Sequence, residues 1–309
     1  MKTSRLLLAA ASCAALLLPA ALAHAAPAAT ASASALAVRT VDRGRFTVEV
    51  SGEGPDVILI PGLASSRAVY DGLMPSLKGY RVHRVQIAGF AGLPAGPNAE
   101  GPVVQPFIEE LARYIADEKL EKPAVIGHSL GGFSALSLAQ QRPDLVGRAM
   151  VIDAFPFFAV LMDPKATAES VRPQADAFRD MILKSTPEAF EKGQQGTAMG
   201  MMMNAAKRPT MVEWSMATDR KVMAQAAWDI ITSDGSKGLA GMTVPLTVLY
   251  AWDQSMGQPA ERLDGMYGTA YAAAPNKKLV RIDGSYHFIM FDQPERFSQE
   301  VAAFLAGHQ

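Results

Sequence analysis

The chain has 309 residues, of which 29 are Lys or Arg and 30 are Asp or Glu, and its formal net charge is −1. This balance gives no electrostatic case for nucleic acid or an anionic membrane as a partner. The single cysteine, Cys13, lies close to the amino terminus, so the chain beyond it offers no disulfide, no thiolate nucleophile and no cysteine-based metal site.

Residues 1–25 have the pattern of a secretory signal peptide. Lys2 and Arg5 precede an apolar stretch at 6–23, and Ala23-His24-Ala25 provides the small residues of a cleavage site. Cleavage would leave 27 basic and 30 acidic residues in the mature chain. We therefore expect export, either to the periplasm or out of the cell.

The segment after the signal peptide argues against a permanent membrane anchor. Pro19 interrupts the apolar stretch, and residues 26–37 are a low-complexity linker of Ala, Ser and Thr with one Pro. Lipid attachment at Cys13 is disfavoured because the leucine usual three places earlier is absent.

Residues 38–154 alternate between strand and helix patterns. Such alternation predicts an α/β fold with a mostly parallel sheet that has helices on both faces. Strands are predicted at 46–50, 57–60, 80–87, 124–126 and 148–152, and helices at 66–77, 103–118 and 133–141.

The alternation stops at residues 155–239 and resumes at 240–309. The interrupting segment contains helical patches separated by Pro and Gly, nine of the sixteen methionines and no convincing strand. We interpret it as a helical cap inserted into one α/β core that comprises 38–154 and 240–309. The last part of the core predicts strands at 246–250 and 278–282 and helices at 262–273 and 294–306.

The segment Gly127-His128-Ser129-Leu130-Gly131 lies between a predicted β-branched strand and a predicted helix. This is the context of a nucleophile elbow, in which a strained turn presents the serine hydroxyl and small neighbours let strand and helix approach each other. Ser129 is therefore the predicted nucleophile. The alternative is a glycine-rich helix start with no catalytic role.

A serine hydroxyl needs a general base, and His287 is the best candidate among the histidines of the mature chain. His83 lies within a strand, which is typical of a core residue, and His308 lies at the frayed end of the chain. His128 precedes Ser129, so its side chain points away from that of the nucleophile. His287 follows the last predicted strand, on the edge of the sheet where such folds place their chemistry.

The base needs a carboxylate that fixes its tautomer, and two aspartates end strands at that edge. We favour Asp253, because the chain order Ser, Asp, His matches the order known for this turn type. Asp153 is the alternative. Either residue can also be an ordinary cap of a turn or helix.

Two backbone amides are expected to stabilise the oxyanion. One belongs to Leu130, which follows the nucleophile. The other is expected from the loop after residue 60, with Leu63 as the first choice and Ala64 as the second.

These residues resemble the α/β-hydrolase family, specifically its capped serine hydrolases of the esterase and lipase type. The resemblance spans about residues 45–305 and is strongest in Ile126-Gly127-His128-Ser129-Leu130-Gly131-Gly132 and in the loop of His287. Pro61-Gly62 occupies the place where many members have His-Gly. The resemblance implies an eight-stranded sheet, a helical cap after the sixth strand, and hydrolysis through an acyl-enzyme without cofactor or metal. A serine nucleophile excludes the dehalogenases and epoxide hydrolases, which use aspartate.

The expected substrate is a small or medium apolar carboxylic ester. Trp252 and Met256, which flank Asp253, are the stronger candidates for its pocket. Phe155 is a further candidate that can instead belong to a small core of the cap. Hydrolysis of a lactone, an amide or a carbon–carbon bond remains open, as does a non-catalytic binding protein with the same fold. Composition leaves the oligomeric state and the natural substrate open.

Overall fold

The computed structural model describes residues 38–161, 163 and 165–307. The predicted signal peptide (1–25), the linker (26–37), Cys13 and His308 lie outside these residues. The described chain contains one eight-stranded sheet, with strands in the order β1-β2-β4-β3-β5-β6-β7-β8. The strands are β1 Arg39–Asp42, β2 Phe46–Ser51, β3 Asp56–Ile60, β4 Arg81–Ile87, β5 Ala124–His128, β6 Arg148–Ile152, β7 Leu246–Trp252 and β8 Lys277–Asp283.

The sheet is mostly parallel, as predicted. Only β2 runs against its neighbours β1 and β4, and every other adjacent pair is parallel. All residues of β3 and β5 are buried at the centre of the sheet, which explains the apolar runs Val57–Ile60 and Ala124–Ile126 within them. β1 was not predicted, because its Arg39-Thr40-Val41-Asp42 sequence is short and mostly exposed at the edge.

Helices cover both faces of the sheet and bury two large apolar clusters. In one of them, Phe107 and Tyr114 of the first helix pack edge-on against Phe46 of β2. Residues 67–77, predicted as helix, form 3₁₀ turns that include Pro75. The α-helices are α1 Val104–Asp117, α2 Leu130–Gln141, α3 Arg172–Lys184, α4 Pro187–Met201, α5 Arg208–Met216, α6 Arg220–Thr232, α7 Ala260–Ala270, α8 Ile289–Asp292 and α9 Pro294–Leu305.

Helices α3 to α6 lie between β6 and β7, within the segment 155–239 that we call the cap segment. Helix α6 joins it to the core, because the Asp229 carboxylate accepts hydrogen bonds from the amides of Val103 and Val104 at the start of α1. Gly89 lets the loop after β4 approach α6 closely: a Cβ at this position would lie 2.7 Å from Val222. No helix in the described part of the chain is long and apolar enough to cross a membrane.

Candidate active site

Ser129 occupies a strained turn between β5 and α2. Its backbone has φ 53° and ψ −118°, a conformation that residues other than glycine rarely adopt. Its amide donates to the carbonyl of Ile152 at 2.8 Å, which fixes the turn against the end of β6. This is the geometry predicted for a nucleophile elbow.

The glycines on either side of Ser129 are required by the close approach of strand and helix. A Cβ on Gly127 would lie 2.0 Å from the carbonyl oxygen of Gly131, and a Cβ on Gly131 would lie 2.2 Å from the carbonyl oxygen of Ile60. Both obstacles are main-chain atoms that cannot move aside. The small residues of the motif therefore have the steric role that the sequence indicated.

The imidazole of His287 contacts the carboxylate of Asp153. His287 lies in the loop between β8 and α8, and its Nδ1 donates to Asp153 Oδ2 at 2.7 Å. Asp153 directly follows β6 with φ 48°, and its amide donates to the carbonyl of Leu249 at 2.7 Å. This bond sets the proton on Nδ1 and leaves Nε2 of His287 able to accept a proton.

Asp153 is held by two further hydrogen-bond donors besides His287. Its Oδ1 accepts from the amide of Ala251 and from the hydroxyl of Tyr267, each at 3.0 Å. Burial acts to raise the pKa of Asp153, but the hydrogen bond and charge of His287, together with these two donors, outweigh it and hold the pKa below its usual value. The carboxylate is therefore ionised at neutral pH.

The prediction that Asp253 contacts His287 is wrong. Asp253 follows β7 and caps a short 3₁₀ turn, where its Oδ1 accepts from the amide of Ser255 at 2.9 Å and from the Ser255 hydroxyl. This carboxylate serves the local turn, whereas the alternative candidate, Asp153, meets the imidazole. Chain order did not separate the two, because both residues lie between Ser129 and His287.

His128 lies beside His287, and in the described residues neither of its ring nitrogens is hydrogen-bonded to Ser129. Its Nε2 donates to the main-chain carbonyl of His287 at 3.0 Å, and the two rings are 4.5 Å apart. Burial, followed by the proximity of His287, lowers the pKa of His128 to about 3. The ring is therefore neutral and supports the loop of the candidate base.

His83 is a core residue, as predicted, and both of its ring nitrogens are hydrogen-bonded, one to Tyr114 and the other to Asp56.

The hydroxyl of Ser129 and the imidazole of His287 are not hydrogen-bonded to each other in the described residues. Nucleophile and base are often further apart before substrate binds. Ser129, Asp153 and His287 follow β5, β6 and β8, so all three stand at the carboxyl edge of the sheet. Gly62 also reaches this edge, since a Cβ on it would lie 3.2 Å from the Cβ of Ser129.

The loop expected to supply the second oxyanion donor packs against the cap segment. Ala64 has φ 55° and is buried in one apolar cluster with cap residues, and Leu63 packs against the same cluster. Within residues 38–161, 163 and 165–307, the amides of Leu63, Ala64 and Leu130 donate to no protein acceptor. An amide without a protein partner is a candidate donor to an oxyanion. The cap residues of the cluster are Ile182, Phe190, Met223, Ala224 and Ala227.

The three predicted pocket residues have different surroundings. Phe155 is buried in the core and packs on Tyr267 with ring centroids 4.3 Å apart, which favours the core alternative, and a substrate contact for Phe155 stays a prediction. Trp252 is partly buried, and its indole donates to the carbonyl of Gln258. Met256 is also partly buried, against the second apolar cluster. A substrate contact for Trp252 and Met256 stays a prediction.

Two surface cavities of about 310 Å³ and 470 Å³ lie away from the candidate site, because neither is lined by Ser129, Asp153 or His287.

Sequence reasoning missed the hydrogen bond from the hydroxyl of Tyr267 to Asp153. The available signal was the pair Tyr267 and Tyr271, whose i,i+4 spacing puts two hydroxyls on one face of a helix.

Comparisons with known proteins agree with this architecture. A model of the alpha/beta hydrolase family matches residues 57–300. A pimeloyl-[acyl-carrier protein] methyl ester esterase of Vibrio atlanticus is 24% identical over 272 residues, which cover 82% of this chain and 96% of that protein.

Solved structures share the fold at low sequence identity. A hydrolase from Pseudomonas aeruginosa has a TM-score of 0.70 at 19% identity and covers 88% of this chain and 99% of its own. An esterase from Exiguobacterium antarcticum also has a TM-score of 0.70 at 19% identity, with coverages of 87% and 98%. With the family model matching most of its length, the chain belongs to the alpha/beta hydrolase family.

Proposed function

We propose that the protein is an exported serine hydrolase that cleaves carboxylic esters with Ser129 as nucleophile, His287 as general base and Asp153 as the acid that orients it. The observation that carries this proposal is the 2.7 Å hydrogen bond between His287 Nδ1 and Asp153 Oδ2, at the same sheet edge as the strained turn of Ser129. The relationship to proteins named as esterases supports ester hydrolysis as the reaction.

In acylation, Ser129 Oγ attacks the carbonyl carbon of the ester while its proton moves to His287 Nε2. The carbon–oxygen bond to the leaving alcohol then breaks, and the alcohol takes the proton from Nε2. In deacylation, a water molecule attacks the acyl group, gives its proton to Nε2 and releases the acid, and Ser129 recovers its proton. Asp153 stays ionised and stabilises the imidazolium that forms twice in the cycle.

We assign the stabilisation of the negative charge on the carbonyl oxygen to the backbone amides of Leu130 and Leu63. Ala64 is the alternative to Leu63 as the second donor. Donors that are fixed before the reaction stabilise the oxyanion most effectively, because no reorganisation is needed. Burial of Leu130 and Ala64 supports such a fixed arrangement.

A small or medium apolar ester is the proposed substrate class. The main chain of the cap segment contacts the loop of the proposed base, since the amide of Phe288, next to His287, donates to the carbonyl of Met201 at 3.2 Å. Met201 is 38% exposed and Met203 is 37% exposed. Exposed methionines in a segment that contacts this loop favour an apolar over a charged acyl or alcohol group.

Export is proposed from the amino-terminal sequence alone. Expression of the full chain with a carboxyl-terminal tag in a Gram-negative host, followed by fractionation, should give a shortened protein in the periplasm or medium. A full-length protein retained in the cytoplasm would contradict export and leave the proposed chemistry unaffected.

The proposed chemistry is tested by labelling the purified protein with a fluorophosphonate and mapping the modified residue by mass spectrometry. The label should be found on Ser129, and turnover of p-nitrophenyl esters should disappear in Ser129→Ala. Ser134→Ala is the control, because Ser134 lies one turn further along α2 and its hydroxyl donates to the carbonyl of Leu130. An unlabelled, folded wild-type protein would contradict the proposal.

A panel of short and medium acyl esters, lactones and amides should include esters among its best substrates. Labelling of Ser129 combined with indifference to every ester would retain the nucleophile and reassign the cleaved bond. Ligand binding without labelling or turnover would instead favour a non-catalytic binding protein.

A further inference from the structure

We propose that Tyr267 is a positioning residue for the reaction, whose hydroxyl holds the carboxylate of Asp153 in the orientation that His287 requires. Tyr267 lies on α7, and its hydroxyl donates to Asp153 Oδ1 at 3.0 Å. The other oxygen, Oδ2, is thereby directed at His287 Nδ1. This inference rests on the proposed function, because it assigns the partner of the proposed acid.

The two oxygens of the Asp153 carboxylate accept hydrogen bonds from different donors. Oδ1 accepts two hydrogen bonds, from the hydroxyl of Tyr267 and the amide of Ala251, while Oδ2 accepts the one from His287. A carboxylate with both oxygens engaged cannot rotate without breaking a bond. Ala251 alone would leave Oδ1 with a single donor, and the plane of the carboxylate would be fixed less firmly.

The ring of Tyr267 is itself held tightly. It is 3% exposed, it stacks on Tyr250 with centroids 4.2 Å apart, and it packs on Phe155. The hydroxyl of Tyr250 donates to Asp264 at 2.8 Å, and Asp264 pairs with Arg281 at 2.5 Å. Helix α7 is therefore a rigid support from which the hydroxyl reaches Asp153.

The charges around the site keep Tyr267 a donor. Burial, followed by the negative charge of Asp153, raises the pKa of Tyr267 well above its ordinary value, so the hydroxyl keeps its proton. The other titratable groups facing the pair are His128 on β5, which is buried and neutral, and Tyr271 directly after α7, whose pKa is also raised by burial. Asp264 and Arg281 reach the carboxylate only through Tyr250 and Tyr267.

Removal of this donor has a defined consequence for catalysis. Without this donor, less of the negative charge of the Asp153 carboxylate would be shared in hydrogen bonds. The carboxylate would therefore stabilise the protonated imidazole of His287 more strongly, and the neutral imidazole would form only at a higher pH. It would also orient the imidazole less well. In Tyr267→Phe we therefore expect kcat to fall about two- to tenfold with KM within about twofold, the effect of losing one ordinary hydrogen bond.

The experiment compares Tyr267→Phe with Tyr271→Phe. Tyr271 lies one turn further along the chain, is fully buried, and its hydroxyl donates to the carbonyl of Ala154 instead of a carboxylate. Both variants lose one buried hydroxyl, so both should lose similar stability. Only Tyr267→Phe should move the acid limb of the kcat/KM profile upward, by up to about one pH unit. Only that variant should shift the downfield proton resonance of His287 Nδ1.

An unchanged acid limb and an unchanged Nδ1 resonance in folded Tyr267→Phe would overturn the inference. If that variant does not fold, replacement of Tyr267 by 3,5-difluorotyrosine decides the question, because a more acidic phenol is a stronger donor and should move the acid limb downward. No movement would again overturn the inference. A wild-type protein without labelling or turnover would contradict the proposed function, whereas the Nδ1 resonance tests the role of Tyr267 without turnover.

Discussion

The buried imidazole of His128 supports the main chain of His287, to whose carbonyl oxygen its Nε2 donates at 3.0 Å. His128 is 1% exposed, and a Cβ on Gly62 would lie 3.0 Å from its Nδ1, so the ring is enclosed on that side as well. His128, which precedes the proposed nucleophile Ser129 in the sequence, therefore connects the turn of Ser129 to the loop of His287.

The burial of His128 predicts an acid-sensitive component of stability. Its pKa is lowered to about 3 in the folded protein, whereas an unfolded histidine titrates near ~6.5. Below pH ~6.5 the unfolded chain binds the proton more readily, so this component is complete above that pH and is lost as the pH falls towards 3.

We expect His128→Gln, which keeps an amide donor but does not titrate, to lose less stability on acidification. Urea unfolding at pH 7 and pH 4.5 should give a loss that is larger in the wild type by about 2 to 3 kcal/mol. His83 is buried in both proteins, so its contribution cancels. Equal losses in the two proteins would contradict the neutral, buried state of His128.

The steric role of Gly131 predicts opposite effects for two Gly→Ala variants. In Gly131→Ala the new methyl would meet the carbonyl oxygens of Ile60 at 2.2 Å and Pro61 at 2.6 Å, so we expect a loss of about 3 kcal/mol or more. Gly193 lies within α4 with nothing within 4 Å of its Cβ position, so Gly193→Ala should gain about 0.5 to 1 kcal/mol. Chemical denaturation measures both, and a Gly131→Ala variant as stable as the wild type would refute the steric role.

The loop of Leu63 and Ala64, proposed to supply an oxyanion donor, packs against the cap segment. This packing predicts that a substitution in the cap segment affects turnover. Met223 is 7% exposed and lies in the cluster that contains Ala64. In Met223→Ala we expect a stability loss of about 2 to 5 kcal/mol and, in protein that remains folded, a fall in kcat of up to ~10²-fold. A looser loop aligns the oxyanion donor less well.

Met199→Ala is the matched control for that variant. Met199 is 63% exposed on α4, so its truncation should change stability by less than about 0.5 kcal/mol and leave kcat unchanged. Unchanged kcat in folded Met223→Ala would show that the cap segment does not support the loop.

The sheet and two of the candidate site residues could be predicted because their signals are local. The apolar β-branched residues before Gly127 and the small residues around Ser129 are adjacent in the sequence, and His287 lies in the loop that follows a strand. The edge strand β1 was missed because four mostly exposed residues carry little pattern. Residues 67–77 form 3₁₀ turns instead of the predicted helix, and they include Gly72 and Pro75, both poor α-helix residues.

The choice between the two aspartates could not be predicted, because it depends on contacts across the fold. Asp153 is selected by its backbone turn at φ 48° and by Tyr267, which is 114 residues away in the chain. The carboxylate of Asp253 instead accepts a hydrogen bond from the amide of its neighbour Ser255 in a local turn. Strand-end position and chain order are the same for both residues, so only the tertiary structure separates them.

The proposed trio of Ser129, His287 and Asp153 is tested most directly by comparing Asp153→Asn with Asp253→Asn in the purified protein. In Asp153→Asn the asparagine would mis-set the tautomer of His287, so kcat for a p-nitrophenyl ester should fall by up to ~10⁴-fold. Asp253→Asn should remain within about twofold of the wild type, because that carboxylate only caps a surface turn. A large loss of kcat in Asp253→Asn, with Asp153→Asn still active, would contradict the assignment.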